Sequence, residues 1–222
     1  MARRRPQTLQ PPAKPRLDGD LEEIELEQLE SVERALVKGA DLAGLTARGV
    51  SVAESRLVDV DLSGARLLGL RLADVAVERG NLANLVAPEP ALQRVVIAGA
   101  RMTGVQWTRG RIADAVFRDC RIDLATFAGT TFERVTFDGC LLGQAEFREA
   151  LFRSVRFDHC DLTEADLSGV RIDRCELRGC TLDGLAGAER LRGAAMPWAD
   201  VVGNAALLAT ALGIRVLDET ER

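Results

Sequence analysis

The sequence predicts an all-β solenoid, and three observations carry that prediction. From Ala115 to Gly184 the chain reads in fives, as in AVFRD CRIDL ATFAG TTFER VTFDG, with a small residue first and a large apolar residue third. All seven phenylalanines (Phe117, Phe127, Phe132, Phe137, Phe147, Phe152 and Phe157) stand in the third lane, and all five cysteines (Cys120, Cys140, Cys160, Cys175 and Cys180) stand in the first. The frame also keeps its count over a long span: it opens near Val32, Ala35 and Val37, runs through Leu42 to Leu82, and resumes at Ile97 without an inserted residue. A helix spaces apolar residues by 3.6 and a lone strand by two. A sustained period of five with two apolar lanes therefore describes one side of a coil that turns a corner in every block.

The lanes resemble the A-[DN]-L-x-x motif of the pentapeptide repeat family, with ADLSG at 165–169 and ADLAG at 40–44 as the cleanest copies. The resemblance covers about two thirds of the chain. It implies a right-handed quadrilateral β-helix of four blocks to the coil, with first-lane and third-lane side chains filling the interior. Energetics agree with such a stack. A coil of about 20 residues buries about four large apolar side chains at ~1.5–3 kcal/mol each, while ordering its backbone costs ~1–2 kcal/mol per residue. One coil cannot fold alone, so coils must share a core and hydrogen bonds, and each end needs a cap.

Four segments follow. Residues 1–17 are proline-rich with five positive charges and no negative one, and read as a disordered basic tail. Residues 18–31 carry seven carboxylates and no base, and read as an acidic N-terminal cap, with a short helix preferred over a strand. Residues 32–185 form the β-helix, about seven coils long. Within it, Ala87 in the large lane and Pro90 in the small lane predict a kinked or bulged coil, because proline cannot donate to a ladder. Residues 186–222 hold the C-terminal capping helix, with Pro197 at its first turn and Gly213 just past its end, then a short tail in which 214–219 could add a strand. The apolar stripe of that helix, Trp198, Val201, Val202, Ala205, Leu208 and Leu212, covers the last open edge and is broad enough to join two copies. Dimerisation through C-terminal helices is also what the resemblance to quinolone-resistance-type members implies.

Composition removes most chemistry. The chain has no Tyr, one His, and Arg almost to the exclusion of Lys. The odd cysteine count lacks any C-x-x-C pair, which supports neither a disulfide framework nor a zinc motif. The 20-residue spacing of Cys120, Cys140, Cys160 and Cys180 instead suggests an inner ladder of small buried residues. His159 falls in the outward fifth lane without a neighbouring nucleophile, and the glycines of that lane serve corners. No catalytic residue, metal site, cofactor or small-molecule substrate is expected. The basic start has no apolar run behind it, and no stretch of the sequence approaches 18 apolar residues, so a cytoplasmic, non-membrane protein is expected.

What remains is a non-enzymatic rod that binds a protein partner through its surface, with no direct contact to nucleic acid expected. The resemblance supplies an alternative, since some family members mimic DNA, occupy the DNA site of gyrase or topoisomerase, and protect it from quinolones. Charge weakens that alternative here. Residues 32–185 carry 22 acids and 20 bases, whereas a duplex has about one negative charge per 1.7 Å. The most acidic face, with Asp41, Asp61, Asp161, Glu164 and Asp183, is only faintly negative.

Overall fold

The computed structural model describes residues 9–17, 19–25 and 31–217. Its shape follows from the fifth lane. From Arg34 to Gly184 every fifth residue except Arg174 takes the left-handed conformation, with φ between 44° and 73°. Four such corners close a coil of twenty residues. Only twelve of these corners are glycine; the other eighteen are Arg, Asp, Glu, Asn, Gln, Ser, His and Leu. A left-handed non-glycine residue costs roughly 1–2 kcal/mol, so the corners are imposed by what the coils gain from one another.

The strands, numbered in chain order, are β1 (Glu22–Ile24), β2 (Ser31–Glu33), β3 (Ala35–Lys38), β4 (Thr46–Arg48), β5 (Ser51–Val58), β6 (Arg66–Leu68), β7 (Arg71–Glu78), β8 (Ala91–Ala98), β9 (Arg111–Arg118), β10 (Thr131–Asp138), β11 (Leu151–Asp158) and β12 (Arg171–Arg178). All pairing is parallel, and from β5 to β11 each residue pairs with the one twenty further on. Hydrogen bonds tie each coil to both neighbours: Leu82 N–H donates to Arg101 O at 2.7 Å, and Asn81 N–H donates to Val60 O at 2.9 Å. Seven steps separate the first rung at 31–38 from the last at 171–178, a rise of about 34 Å at ~4.8 Å each.

The interior is continuous. All seven phenylalanines and Trp107 are buried. Phe117, Phe137 and Phe157 stack face to face at 4.8 and 5.0 Å, and Phe127 stacks on Phe147 at 5.3 Å. Phe132 and Phe152 meet edge to face at 5.5 Å, the other favoured aromatic geometry.

The kink expected around Pro90 is absent, since β8 pairs in unbroken register on both sides. The reason lies in where first-lane amides point. At Leu85, Val105, Thr130, Ala150 and Val170 the first-lane N–H bonds to the carbonyl three residues earlier in its own turn. Proline at that position therefore removes no bond between coils. Its ring is accommodated one coil on: a Cβ on Gly110 would lie 2.4 Å from Pro90 Cδ and 2.6 Å from Pro90 O. Ala87 is matched in the same way, because Trp107 follows one coil later in the same lane.

Both caps depart from expectation. The N-terminal cap is a strand rather than a helix: β1 pairs with β3 and meets the open backbone groups of the first coil, and Ile24 packs on the core. Residues 26–30 lie outside the described residues. At the other end the ladder slips between β11 and β12, at Arg174, the corner between Arg34 and Gly184 that is not left-handed, and Arg174 Nε is buried there without a partner among the described residues. A 3-10 turn (Ala188–Leu191) follows, and Ala195 then bonds to Cys175 and Leu177. The expected single helix is two, α1 (Trp198–Gly203) and α2 (Ala205–Ala211), divided at Asn204, whose side-chain amide donates to Asp200 O at 2.8 Å. Pro197 caps α1 from outside its first turn. Gly213, with φ 78°, closes α2: its N–H bonds to Thr210 O, and that of Ile214 bonds to Ala209 O. Residues 214–217 form no strand, and residues 218–222 lie outside the description.

The fit of Gly110 to Pro90 yields a test. Gly110→Ala should lower unfolding stability by ~1–3 kcal/mol through overpacking, read by urea denaturation. Adding Pro90→Ala should recover only the part of that loss that the ring causes, because the Pro90 carbonyl oxygen, 2.6 Å from the added Cβ, remains.

Candidate interaction surfaces

Because the interior is filled by side chains, chemistry is available only on the faces and ends. The thiols illustrate this. Cys120, Cys140, Cys160 and Cys180 form the expected inner ladder, and each Sγ lies 3.4–3.5 Å from the carbonyl oxygen 23 residues earlier, on Ile97, Phe117, Phe137 and Phe157 respectively. Their donor directions run parallel into the backbone, where metal ligation would need them to converge. Among the described residues no His, Cys, Asp and Glu cluster fits a metal ion. Cys175 is fully enclosed, and burial pushes its thiol up to about 12. His159 stands outward at a corner, with Nδ1 3.0 Å from Asp158 Oδ1 and no nucleophile paired with it.

The C-terminal end presents the apolar stripe. Leu207, Leu208 and Ala211 pack on the core. Trp198, Val202 and Leu212 are 80%, 57% and 71% exposed, and Ile214, Val216 and Leu217 extend the same uncovered region. Ala205 is exposed and Val201 half-buried. The proposed interface thus divides: Leu208 belongs to the cap, while Trp198, Val202, Ala205 and Leu212 face outward. Beside them lies a groove of about 780 Å³ between Val170 with the start of β12 (Arg171, Ile172), the 3-10 turn and α2.

Along the faces, part of the charge is consumed locally. Acids pair with the arginine one coil away: Asp59 with Arg79 at 2.8 Å, Asp138 with Arg118 at 3.3 Å, Glu176 with Arg156 at 2.9 Å. The faintly acidic face is interrupted as well, because the ladder from Asp41 and Asp61 to Asp161 passes through Arg101 and Arg121.

One corner stands apart. Asp74, Arg94, Asp114, Arg134 and Ser154 succeed one another at 20-residue intervals, all left-handed. Arg94 grips Asp74 with two hydrogen bonds of 2.7 and 2.5 Å, and Arg134 grips Asp114 with two of 2.6 and 2.7 Å. Both carboxylates are buried. Residues 9–17, part of the tail read as disordered, lie along this corner: Ala13 N–H donates to Asp114 Oδ1 at 3.1 Å and Arg16 N–H to Asp74 Oδ1 at 2.8 Å. Gln93 also donates to Asp114, at 2.8 Å. The arginines hold both carboxyls below the ordinary aspartate range against the opposing effect of burial, and the segment's amides add to that. The sequence reading missed this site. Its signal was present as alternating sign at every fourth corner, but single-lane inspection hid it among other outward charges.

Residues 90–167 and 111–186 match the family described as pentapeptide repeat region. Residues 90–186 are thus a pentapeptide repeat region, and the same corner geometry runs back to Arg34. No curated protein matches it. Among solved structures it is similar to QnrB1, a plasmid-mediated fluoroquinolone resistance protein, at 17% identity over 88% of this chain and 96% of that one, with a TM-score of 0.45. It is also similar to HetL, a pentapeptide repeat protein involved in heterocyst differentiation regulation from the cyanobacterium Nostoc sp. strain PCC 7120, at 18% identity over 78% and 92% of the two chains, with a TM-score of 0.46. Among the described residues no helix is long and apolar enough to cross a membrane.

The depressed carboxyls fix a pH dependence. Stability from a lowered folded-state value is fully present above the ordinary aspartate value of about 3.9 and is lost as pH falls through the lowered one. The midpoint of thermal unfolding should therefore vary little with Asp74 and Asp114 from pH 7 to about 4.5 and fall below that, and Asp114→Asn should shrink the acid limb.

Proposed function

We propose that the chain is a non-catalytic interaction rod that associates with a second copy through its C-terminal helices and binds a protein partner on its faces. The observation that carries this reading is the concentration of exposed large apolar side chains at one end: Trp198, Val202, Leu212, Ile214, Val216 and Leu217. A stack needs its last edge covered, and Leu207, Leu208 and Ala211 already serve that need. An uncovered apolar patch rimmed by polar residues marks an association surface, and a two-fold contact of identical patches is the commonest way to bury one. The pairing of several surface acids with arginines one coil away, and the arginines that interrupt the acidic face, favour this reading over gyrase-directed DNA mimicry, because a mimic must leave its negative charges unanswered. Supercoiling by purified gyrase, with and without a quinolone, is the assay in which mimicry would have to show itself.

Size-exclusion chromatography with light scattering tests the association. The unaltered chain should run at twice its 24.0 kDa mass, and Leu212→Glu should run at that mass with unchanged circular dichroism. Leu208→Glu is the poorer choice, since it would also damage the cap. A monomeric unaltered chain would end the proposal.

A further inference from the structure

Residues 9–17 meet the rod with a period of three. Leu9, Pro12 and Pro15 are half-buried against it, while Gln10, Pro11, Ala13, Lys14 and Arg16 are exposed; Leu17, at the segment's end, is also half-buried and departs from the period. That is the period of a polyproline II helix, which advances about 3.1 Å per residue and so about 9.3 Å per turn. The rod has a matching period. Asp74 and Asp114 stand two coils apart, about 9.6 Å at ~4.8 Å per coil, and they accept N–H groups three residues apart, from Arg16 and Ala13. Two coils beyond Asp114 stands Ser154, whose buried Oγ has no partner among the described residues, and two coils before Asp74 stands Arg34, whose Nη2 would lie 3.2 Å from a Cβ on Gly19. The neighbouring corners, Arg94 and Arg134, clamp the acceptor carboxylates from the rod itself.

We propose that this corner is a binding site for an extended, proline-rich, basic peptide segment of a partner protein, and that residues 9–17 are its resident, displaceable occupant. Two hydrogen bonds and half-buried contacts are little return for ordering nine residues. The segment stays seated because its tether supplies an effective concentration on the order of millimolar. A partner segment of the same chemistry with further contacts displaces it, so the tail sets a threshold for binding. The inference deepens the interaction-rod reading and rests on it, but it does not require association at the C-terminal end.

The test keeps the full chain. Ala13→Pro with Arg16→Pro removes the two donors while retaining an extended, proline-rich tail, and so opens the site; circular dichroism checks that the chain still folds. The probe is a fluorescein-labelled peptide of sequence LQPPAKPRL, read by fluorescence anisotropy. It should bind the opened chain at least about tenfold more tightly than the unaltered chain, and Asp114→Asn added to the opened chain should lose about tenfold, as expected for a hydrogen bond to a charged group. Absence of binding to the opened chain, or equal binding to both chains, would overturn the proposal. If the double variant fails to fold, amide exchange in the unaltered chain decides. The Ala13 and Arg16 amides should exchange more slowly than that of Lys14 yet at least about tenfold faster than that of Phe137; exchange only together with Phe137 would make the segment a permanent part of the fold and overturn the proposal. Light scattering on the same samples reads C-terminal association separately. A dimer mass lost in the opened chain would assign the segment to a second copy and overturn its place in the same chain.

Discussion

A left-handed turn at every fifth residue is the constraint on which the molecule depends. It fixes four sides and a twenty-residue circuit, so that each residue lies above one of its own lane. Because eighteen of these corners are not glycine, the conformation is locally unfavourable, and the chain holds it only while neighbouring coils supply hydrogen bonds and a shared core. Stability is thus a property of the stack. A single coil, or a stack with a bare end, would not retain it.

The circuit has a second consequence outside the tube. Side chains twenty apart become neighbours, so a sequence of corners becomes a straight ladder. Where signs alternate along a ladder, as from Asp74 to Arg134, carboxylates and guanidiniums lock each other into place. Elsewhere the same pairing cancels the field that a uniformly acidic rod would project. The rod's exterior therefore presents ordered rows of hydrogen-bonding groups and, at one end, exposed apolar side chains.

Much of this was legible in the sequence. The seven phenylalanines and the cysteine ladder announced the interior, because a buried lane tolerates few residue types and repetition exposes the rule. Corners were half legible: glycine marks twelve, but arginine or aspartate in the same conformation carries no local sign of it. Pro90 misled, because its effect depends on whether a first-lane amide bonds across coils or within its turn, which only the closed coil decides. The caps were least legible. Glu22–Ile24 becomes a strand because an unpaired edge lies beside it, and residues 9–17 acquire a place because their three-residue period matches two coils, a comparison that needs both lengths in space.

Native-state hydrogen exchange, resolved along the coils, tests the central claim most directly. If the stack alone maintains the corners, protection should be greatest from β9 to β11, where neighbours lie on both sides and the aromatic stacks run, and should fall stepwise toward β3 and β12. Uniform exchange along the rod, or a fast-exchanging middle between protected ends, would contradict the account.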